Sequence, residues 1–302
     1  MILPIARRIV HTLRRHRLRA MAGQTGWQRV PAGFWMLIDP KEWLGRTVMM
    51  GYYESHLVFC IQQLVHLGDI CLDIGAHQGY ISMHMARRAG STGCVIAIEP
   101  TRVAFERLVG HIERNRFNNI IAVQVAASDA PSTLEIWFNP EECGHSSVYN
   151  KSEVSVLERV QAKPVDLIVR EVLGENRWEQ IAFVKIDVEG YEPPVLDGMK
   201  QVLSQSQPVI WIEVNPPVLA KGGYRANDIE QRLDAFGYRF FMPYFHRNAL
   251  GIPSLRLEPC ADLETALGGK MTDMVAVIPE SKGWHRIQNS KIRFTYGEQT
   301  YG

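Results

Sequence analysis

The chain has 302 residues, of which 46% are hydrophobic and 22% charged, a balance that suits a soluble globular protein with one large core or two small ones. No apolar run approaches the roughly eighteen residues of a spanning helix, which argues against a transmembrane segment. The formal net charge of +1 hides an asymmetry: residues 1–38 carry Arg7, Arg8, Arg14, Arg15, Arg17, Arg19 and Arg29 with no acidic residue, leaving the remainder about six units negative.

Between residues 3 and 21, Ile5, Ile9, Val10 and Leu13 recur at helical spacing beside those arginines, which predicts a basic amphipathic helix. Such a helix suits peripheral contact with an anionic membrane, organelle targeting, or packing on its own domain. Arginine interrupts the apolar stretch too often for a cleaved secretory leader. The five cysteines, Cys60, Cys71, Cys94, Cys143 and Cys260, form no C-x-x-C pair and imply reduced thiols in a cytoplasmic setting.

From Gly68 onward short apolar runs alternate with helical patterns, the signature of a parallel sheet with crossover helices. The pattern predicts strand one over 69–74, a helix over 80–88, strand two over 94–99, a helix over 102–115 and strand three over 120–126. Then 133–138 and 154–165 alternate like antiparallel strands, with a polar loop holding Cys143, Gly144 and His145 between them, which predicts an inserted β-hairpin. The repeat resumes with strand four over 181–187, a helix over 194–203, strand five over 208–214 and a helix over 228–236. Residues 238–242 and 274–278 read as a final pair of strands separated by a proline-rich loop. The expected fold is therefore α/β: a doubly wound, mostly parallel, seven-stranded Rossmann-like sheet over 46–280, with a basic extension over 1–45 and a tail over 281–302.

The most specific local feature is Asp73-Ile74-Gly75-Ala76-His77-Gln78-Gly79, an acid ending strand one and a glycine-bearing turn before a helix. Ligands of open α/β sheets bind at the carboxyl ends of the strands. The spacing is neither the G-x-G-x-x-G of a dinucleotide site nor a phosphate loop. An acid here suits the ammonium of an amino-acid moiety. Glu99, before Pro100 at the end of strand two, suits both ribose hydroxyls of an adenosine. Ala126-Ala127-Ser128-Asp129 ends strand three where an adenine edge would lie, although Ser128 or Asp129 alone reads as a cap or turn former. Strand four ends Lys185-Ile186-Asp187-Val188-Glu189-Gly190-Tyr191-Glu192, where Asp187 and Glu189 share a face while the strand stays extended. One of that pair suits cofactor orientation and the other proton removal from a hydroxyl; with Glu213 they also suit a magnesium ion.

Taken together, Gly51-Tyr52-Tyr53-Glu54, Leu72-Asp73-Ile74-Gly75-Ala76 with Gly79-Tyr80, Glu99-Pro100, Ala127-Ser128-Asp129 and the run from Lys185 to Glu192 resemble the FkbM family of methyltransferases over about residues 51–215. The resemblance implies a class I methyltransferase fold, S-adenosylmethionine as donor, and O-methylation of a hydroxyl on a sugar, glycan or natural product. It implies cofactor contacts at Asp73, Gly75, Gly79, Glu99 and Asp187, with Ala76, Pro100, Ala127 and Ser128 in the same motifs and Tyr53 and Glu54 closing over the methionine end. His77 and Gln78 depart from the family, which more often has a small or amide residue followed by an aliphatic one.

Two other enzyme classes compete with this reading. A nicotinamide-dependent sugar-modifying enzyme shares the sheet and Glu99 but needs G-x-G-x-x-G and a Tyr-x-x-x-Lys couple, and both are lacking. A nucleic-acid amino-methyltransferase is suggested by Asn215-Pro216-Pro217, but this follows strand five rather than four, Val218 replaces the stacking aromatic, and the acidic main body disfavours phosphate tracking. A non-enzymatic binding module fits less well, because Asp73 and Glu99 are both retained. Glu189 and His145, the latter in the inserted loop, are the candidates for the general base.

Overall fold

The computed structural model describes residues 23–139, 142–148, 156–175, 177–248, 252–296 and 299–301, together with Thr12, Leu13, Arg15, His16 and Arg19. Most of the expected basic helix over 3–21 thus lies outside the described residues, and the five described positions within it are helical. No helix among the described residues is long and apolar enough to cross a membrane.

The sheet is built from strands that are apolar on both faces, as burial beneath crossover helices requires. Strands β3 (Ile70–Ile74) and β4 (Cys94–Ile98) are buried at every position. Beside them run β5 (Ile120–Val123), β10 (Ile181–Ile186) and β11 (Val209–Val214), all parallel. Alternation along these strands divides the core in two: Ile70, Leu72 and Ile74 face one cluster, whereas Cys71 faces the other with Val95 and Ala97. Helices Tyr80–Ala89 and Arg102–Asn115 follow β3 and β4 as expected.

Beyond β11 the sheet turns mixed. Strand β14 (Thr272–Val277) is antiparallel to β11, and β12 (Arg239–Arg247) is antiparallel to β14. Among the described residues the sheet has ten strands rather than the expected seven, because β13 (Pro253–Cys260), β15 (Ile292–Tyr296) and β16 (Gln299–Tyr301) extend it past β12. What reads in sequence as a proline-rich loop holds the end of β12, all of β13 and helix Leu263–Leu267. Pro253 and Pro259 lie outside Leu255–Leu257, the stretch bonded on both sides to β12 and β15, so neither proline breaks an inner ladder.

The insertion also differs from expectation. Strand three ends at Val123, and Ala126–Ser128 (β6) peels away to pair in parallel with Val156–Pro164 (β9). The expected antiparallel pair is present, Ser132–Asn139 (β7) running against β9, but β6 and Glu142–Ser147 (β8) enlarge it to a separate four-stranded sheet in the order β6-β9-β7-β8 among the described residues. Its small core is Ala126, Ile136, Val160 and Ala162.

Both terminal boundaries need correction. Residues 281–302 are not a tail: helix Lys282–Gln288 and β15 place Trp284 and Phe294 in the main core, and the Arg286 guanidinium grips the Asp69 carboxylate at the foot of β3. Nor is all of 1–45 an extension, since the hairpin Gly26–Arg29 (β1) and Trp35–Ile38 (β2) buries Phe34, Met36 and Ile38 in the same cluster. Neither segment shows a regular apolar period, Phe34 to Ile38 being apolar throughout, so the buried face is set by tertiary contact.

Candidate active site

The turn after β3 is shaped by glycine. Gly75 has φ +77, and a Cβ there would stand 1.8 Å from the Asp187 carbonyl oxygen; Gly79 has φ +81, and its Cβ would meet Leu108 Cδ1 at 2.3 Å. Only a residue without a side chain lets β3 and β10 deliver their ends this close together. The turn is then tied down from β4: the Gly75 and Ala76 N–H groups donate to the Ile98 carbonyl at 3.0 and 2.9 Å, and the His77 N–H donates to Glu99 Oε2 at 2.9 Å.

Glu99 is buried. Its Oε1 accepts from the Thr101 N–H at 3.0 Å and from the Thr101 hydroxyl at 2.5 Å. Three of about four acceptor positions are therefore filled from within the chain, leaving one for a ligand. Burial pushes the Glu99 carboxyl upward, and the bonds from Thr101 and His77 oppose that rise.

Asp73 is fully buried behind the turn. Its Oδ2 accepts from the Ser82 hydroxyl, and its Oδ1 has no hydrogen-bond partner, standing 3.7 Å from Lys185 Nζ. Lys185 Nζ donates to the Gly75 carbonyl at 2.8 Å and pairs with Asp187 Oδ2 at 3.1 Å. Burial alone would lower the lysine's affinity for its proton, but Asp187 and then Asp73 outweigh it and hold the ammonium charged. Burial is likewise the main force raising Asp73.

Beyond Asp187 the acids crowd. One oxygen from each of Asp187, Glu189 and Glu213 lies within 4.8 Å of the others, and Glu54, His56 and Asp273 form a second such group. Glu213 and Asp273 are direct partners across β11 and β14. Burial, then Asp187 and Glu189, pushes Glu213 up to about 10, so it is protonated at neutral pH. Glu54 rises to about 7 through burial and Asp273. His56 Nε2 sits 2.5 Å from Asp273 Oδ2. Glu192 ties down the loop after β10: its Oε1 accepts from the Val188 and Gly190 N–H groups at 3.3 and 3.1 Å.

These elements open into one cavity at the carboxyl edge of the sheet. Tyr53, Gly75, Ala76, Glu99, Pro100, Ala127, Asp187 and Glu189 line it, so eight of the residues singled out from sequence converge there. Asp73 and Gly79 support the turn from behind, and Glu54 faces His56 and Asp273. The Ser128 hydroxyl, at the end of β6, is engaged with Asp129 Oδ1 and the Tyr191 hydroxyl at 3.0 and 3.2 Å. His145 falls in β8, and its side chain lies outside the described residues.

Gln78, Tyr80, Lys185 and Tyr191, which the sequence motifs include without a site role, also line the cavity, together with Leu44 and the apolar wall Leu134, Ile136 and Val148, on which the sequence is silent. A lysine inside an otherwise apolar strand buried on both faces was the legible signal for Lys185. Asn215-Pro216-Pro217 caps and opens helix Pro216–Lys221, and Val218 packs over Gly190.

A family model described as the methyltransferase FkbM domain matches residues 73–240. "Methyltransferase 1" of Beauveria bassiana is 24% identical over 143 residues, 42% of this chain and 57% of that protein. Among solved structures, the methyltransferase FkbM of Methylobacillus flagellatus aligns with a TM-score of 0.40 at 14% identity, covering 77% of this chain and 54% of that one. An Aeropyrum pernix fibrillarin bound to S-adenosyl-L-methionine aligns with a TM-score of 0.38 at 11% identity, covering 73% of each chain. The chain thus spans little more than half the length of the first two proteins. With more than half of its residues matched by the family model, the chain belongs to the FkbM methyltransferase domain family.

Proposed function

We propose that this chain is an S-adenosylmethionine-dependent O-methyltransferase whose acceptor is a hydroxyl on a sugar, glycan or natural product. The observation that carries the cofactor is the convergence of three strand ends on one cavity with matching chemistry. A free acceptor position on Glu99 suits a ribose hydroxyl, and the slot between Pro100, Ala126 and Ala127 suits a flat base. The unpartnered Asp73 Oδ1 and the paired Lys185 and Asp187 mark the charged, amino-acid end.

When bound, the cofactor supplies an electrophilic methyl on a sulfonium, which leaves as a thioether. The chain's task is to bring a hydroxyl oxygen into line with that methyl and take away its proton. Positioning contributes most of the acceleration, because the donor is already activated. Of the acids at the cavity, Glu213 holds its own proton at neutral pH and Asp187 is engaged by Lys185. Glu189, at φ +53 on the loop after β10, lines the cavity and is the base in this reading, with His145 as its alternative. A magnesium ion held by Asp187, Glu189 and Glu213 would displace the Glu213 proton, lower the hydroxyl's own pKa and lessen the need for a strong base.

The test is turnover of S-adenosylmethionine with a panel of sugar and polyol acceptors, read as S-adenosylhomocysteine release. A hydroxyl acceptor supporting turnover that Glu189→Gln and His145→Ala together suppress, with cofactor binding intact, is the expected result. Turnover within a few-fold of wild type in that double variant would rule out both bases, and methylation of nucleic acid alone would overturn the acceptor class.

A further inference from the structure

Gln78 sits in the turn between β3 and helix Tyr80–Ala89, lines the cavity and is 1% exposed, yet neither Oε1 nor Nε2 of its side chain has a hydrogen-bond partner. A buried primary amide with both ends unsatisfied is costly and rare in a folded chain, and at the wall of a cavity it marks a place for ligand atoms. Its backbone is fixed. The Gln78 carbonyl accepts from His111 Nδ1 at 2.8 Å, while His111 Nε2 accepts from the Leu37 N–H at 2.8 Å. That second bond sets the tautomer, and burial, reinforced by Arg107, lowers His111 to about 4, so the ring remains neutral and the contact is constant.

The inference rests on the cofactor reading above, which lays the amino-acid end of S-adenosylmethionine along the turn Gly75–Gly79. That end carries an ammonium and a carboxylate. For the first, Asp187 and Glu189 line the cavity, with Asp73 standing behind the turn. For the second, the described residues lining the cavity include no arginine, and Lys185 is already committed to Gly75, Asp187 and Asp73. What remains is the Gln78 amide at the start of a ten-residue helix whose N-cap, Gly79, provides no side-chain cap for the first N–H groups. An anion is favoured at such a helix start, and here a buried neutral donor faces the same cavity.

We propose that Gln78 is a specificity residue for the amino-acid end of the cofactor, its Nε2 donating to the α-carboxylate and its Oε1 accepting from the α-ammonium. Gln78 therefore widens the preference for an intact amino-acid end over an adenosine thioether that lacks it.

Calorimetric titration of S-adenosylhomocysteine and of 5′-methylthioadenosine into wild type, Gln78→Leu and Gln78→Glu tests this. Gln78→Leu is expected to weaken S-adenosylhomocysteine on the order of tenfold and leave methylthioadenosine within about twofold. The same variant should melt at a higher temperature without ligand, because a buried unsatisfied group is gone. Gln78→Glu should weaken S-adenosylhomocysteine further than leucine does, by placing like charges together. Equal loss for both ligands, or no loss for S-adenosylhomocysteine, overturns the assignment while leaving the cofactor reading intact. Wild-type protein that binds neither ligand overturns both.

Discussion

The His77 N–H donates to Glu99 Oε2 at 2.9 Å, so the carboxylate at the end of β4 holds the glycine turn that follows β3. One residue thus organises the turn and offers an acceptor to the cavity. Its other oxygen is kept busy by Thr101, so orientation of the carboxylate is fixed before any ligand arrives.

Gly75→Ala should be severely destabilising. The new methyl would lie 1.8 Å from the Asp187 carbonyl at a φ of +77, which combines steric overlap with a backbone that alanine disfavours. A loss of more than about 3 kcal/mol in denaturant unfolding is expected. A loss below about 1 kcal/mol would mean that β3 and β10 do not approach as described.

Lys185→Met removes the cation between two acids while leaving the acids in place. With Asp73 fully buried, stability should fall by about 3–5 kcal/mol. Adding Asp73→Asn to that variant should recover part of the loss, since the uncompensated charge goes too. If the double variant is no more stable than the single one, the pair is not interacting as its geometry implies.

His84 provides a pH test remote from the chemistry. Its ring packs against Phe34 and Tyr80 at centroid distances of 5.0 and 4.7 Å, and burial, reinforced by Arg87, lowers its pKa to about 3. A depressed folded-state pKa means that stability present above about 6.5 is lost as pH falls toward 3. His84→Phe should therefore gain about 2 kcal/mol relative to wild type on going from pH 7.5 to pH 5. Parallel stability curves for the two proteins would contradict the neutral, buried ring. The carboxyls act in the opposite direction: Glu54 and Glu192, raised to about 7, cost stability as pH rises from about 4.5 through 7, and Glu213 extends that cost toward 10.

Magnesium across Asp187, Glu189 and Glu213 has a direct check. Titrating the metal into chelator-treated protein should show saturable heat that Glu213→Gln abolishes and Glu192→Gln leaves largely in place. Identical turnover in chelator and in magnesium would remove the ion from the account.

The parallel half of the fold was legible because β3, β4, β10 and β11 are short, apolar on both faces and separated by helical periods, and each delivers its motif to the same edge. The cavity's glycine turn, Glu99 and Asp187 followed from that placement. The second sheet was not legible: Ala126–Ser128 continues strand three in pattern, and only tertiary pairing with β9 draws it away. The C-terminal strands were hidden for a related reason, since β13 carries prolines at its ends and β15 gains its burial from Trp284 and Phe241 across the core. Gln78 was noticed only as a departure from the family; that its amide is buried without partners is a property of packing, which no spacing rule reveals.

The central claim is that this cavity binds S-adenosylmethionine through Glu99. Calorimetry of S-adenosylhomocysteine with wild type and Glu99→Ala, with NAD as control ligand, tests it most directly. The account predicts micromolar binding to wild type, loss of at least tenfold in the variant and no competition from NAD. A folded wild-type protein that ignores S-adenosylhomocysteine, or prefers NAD, would contradict it.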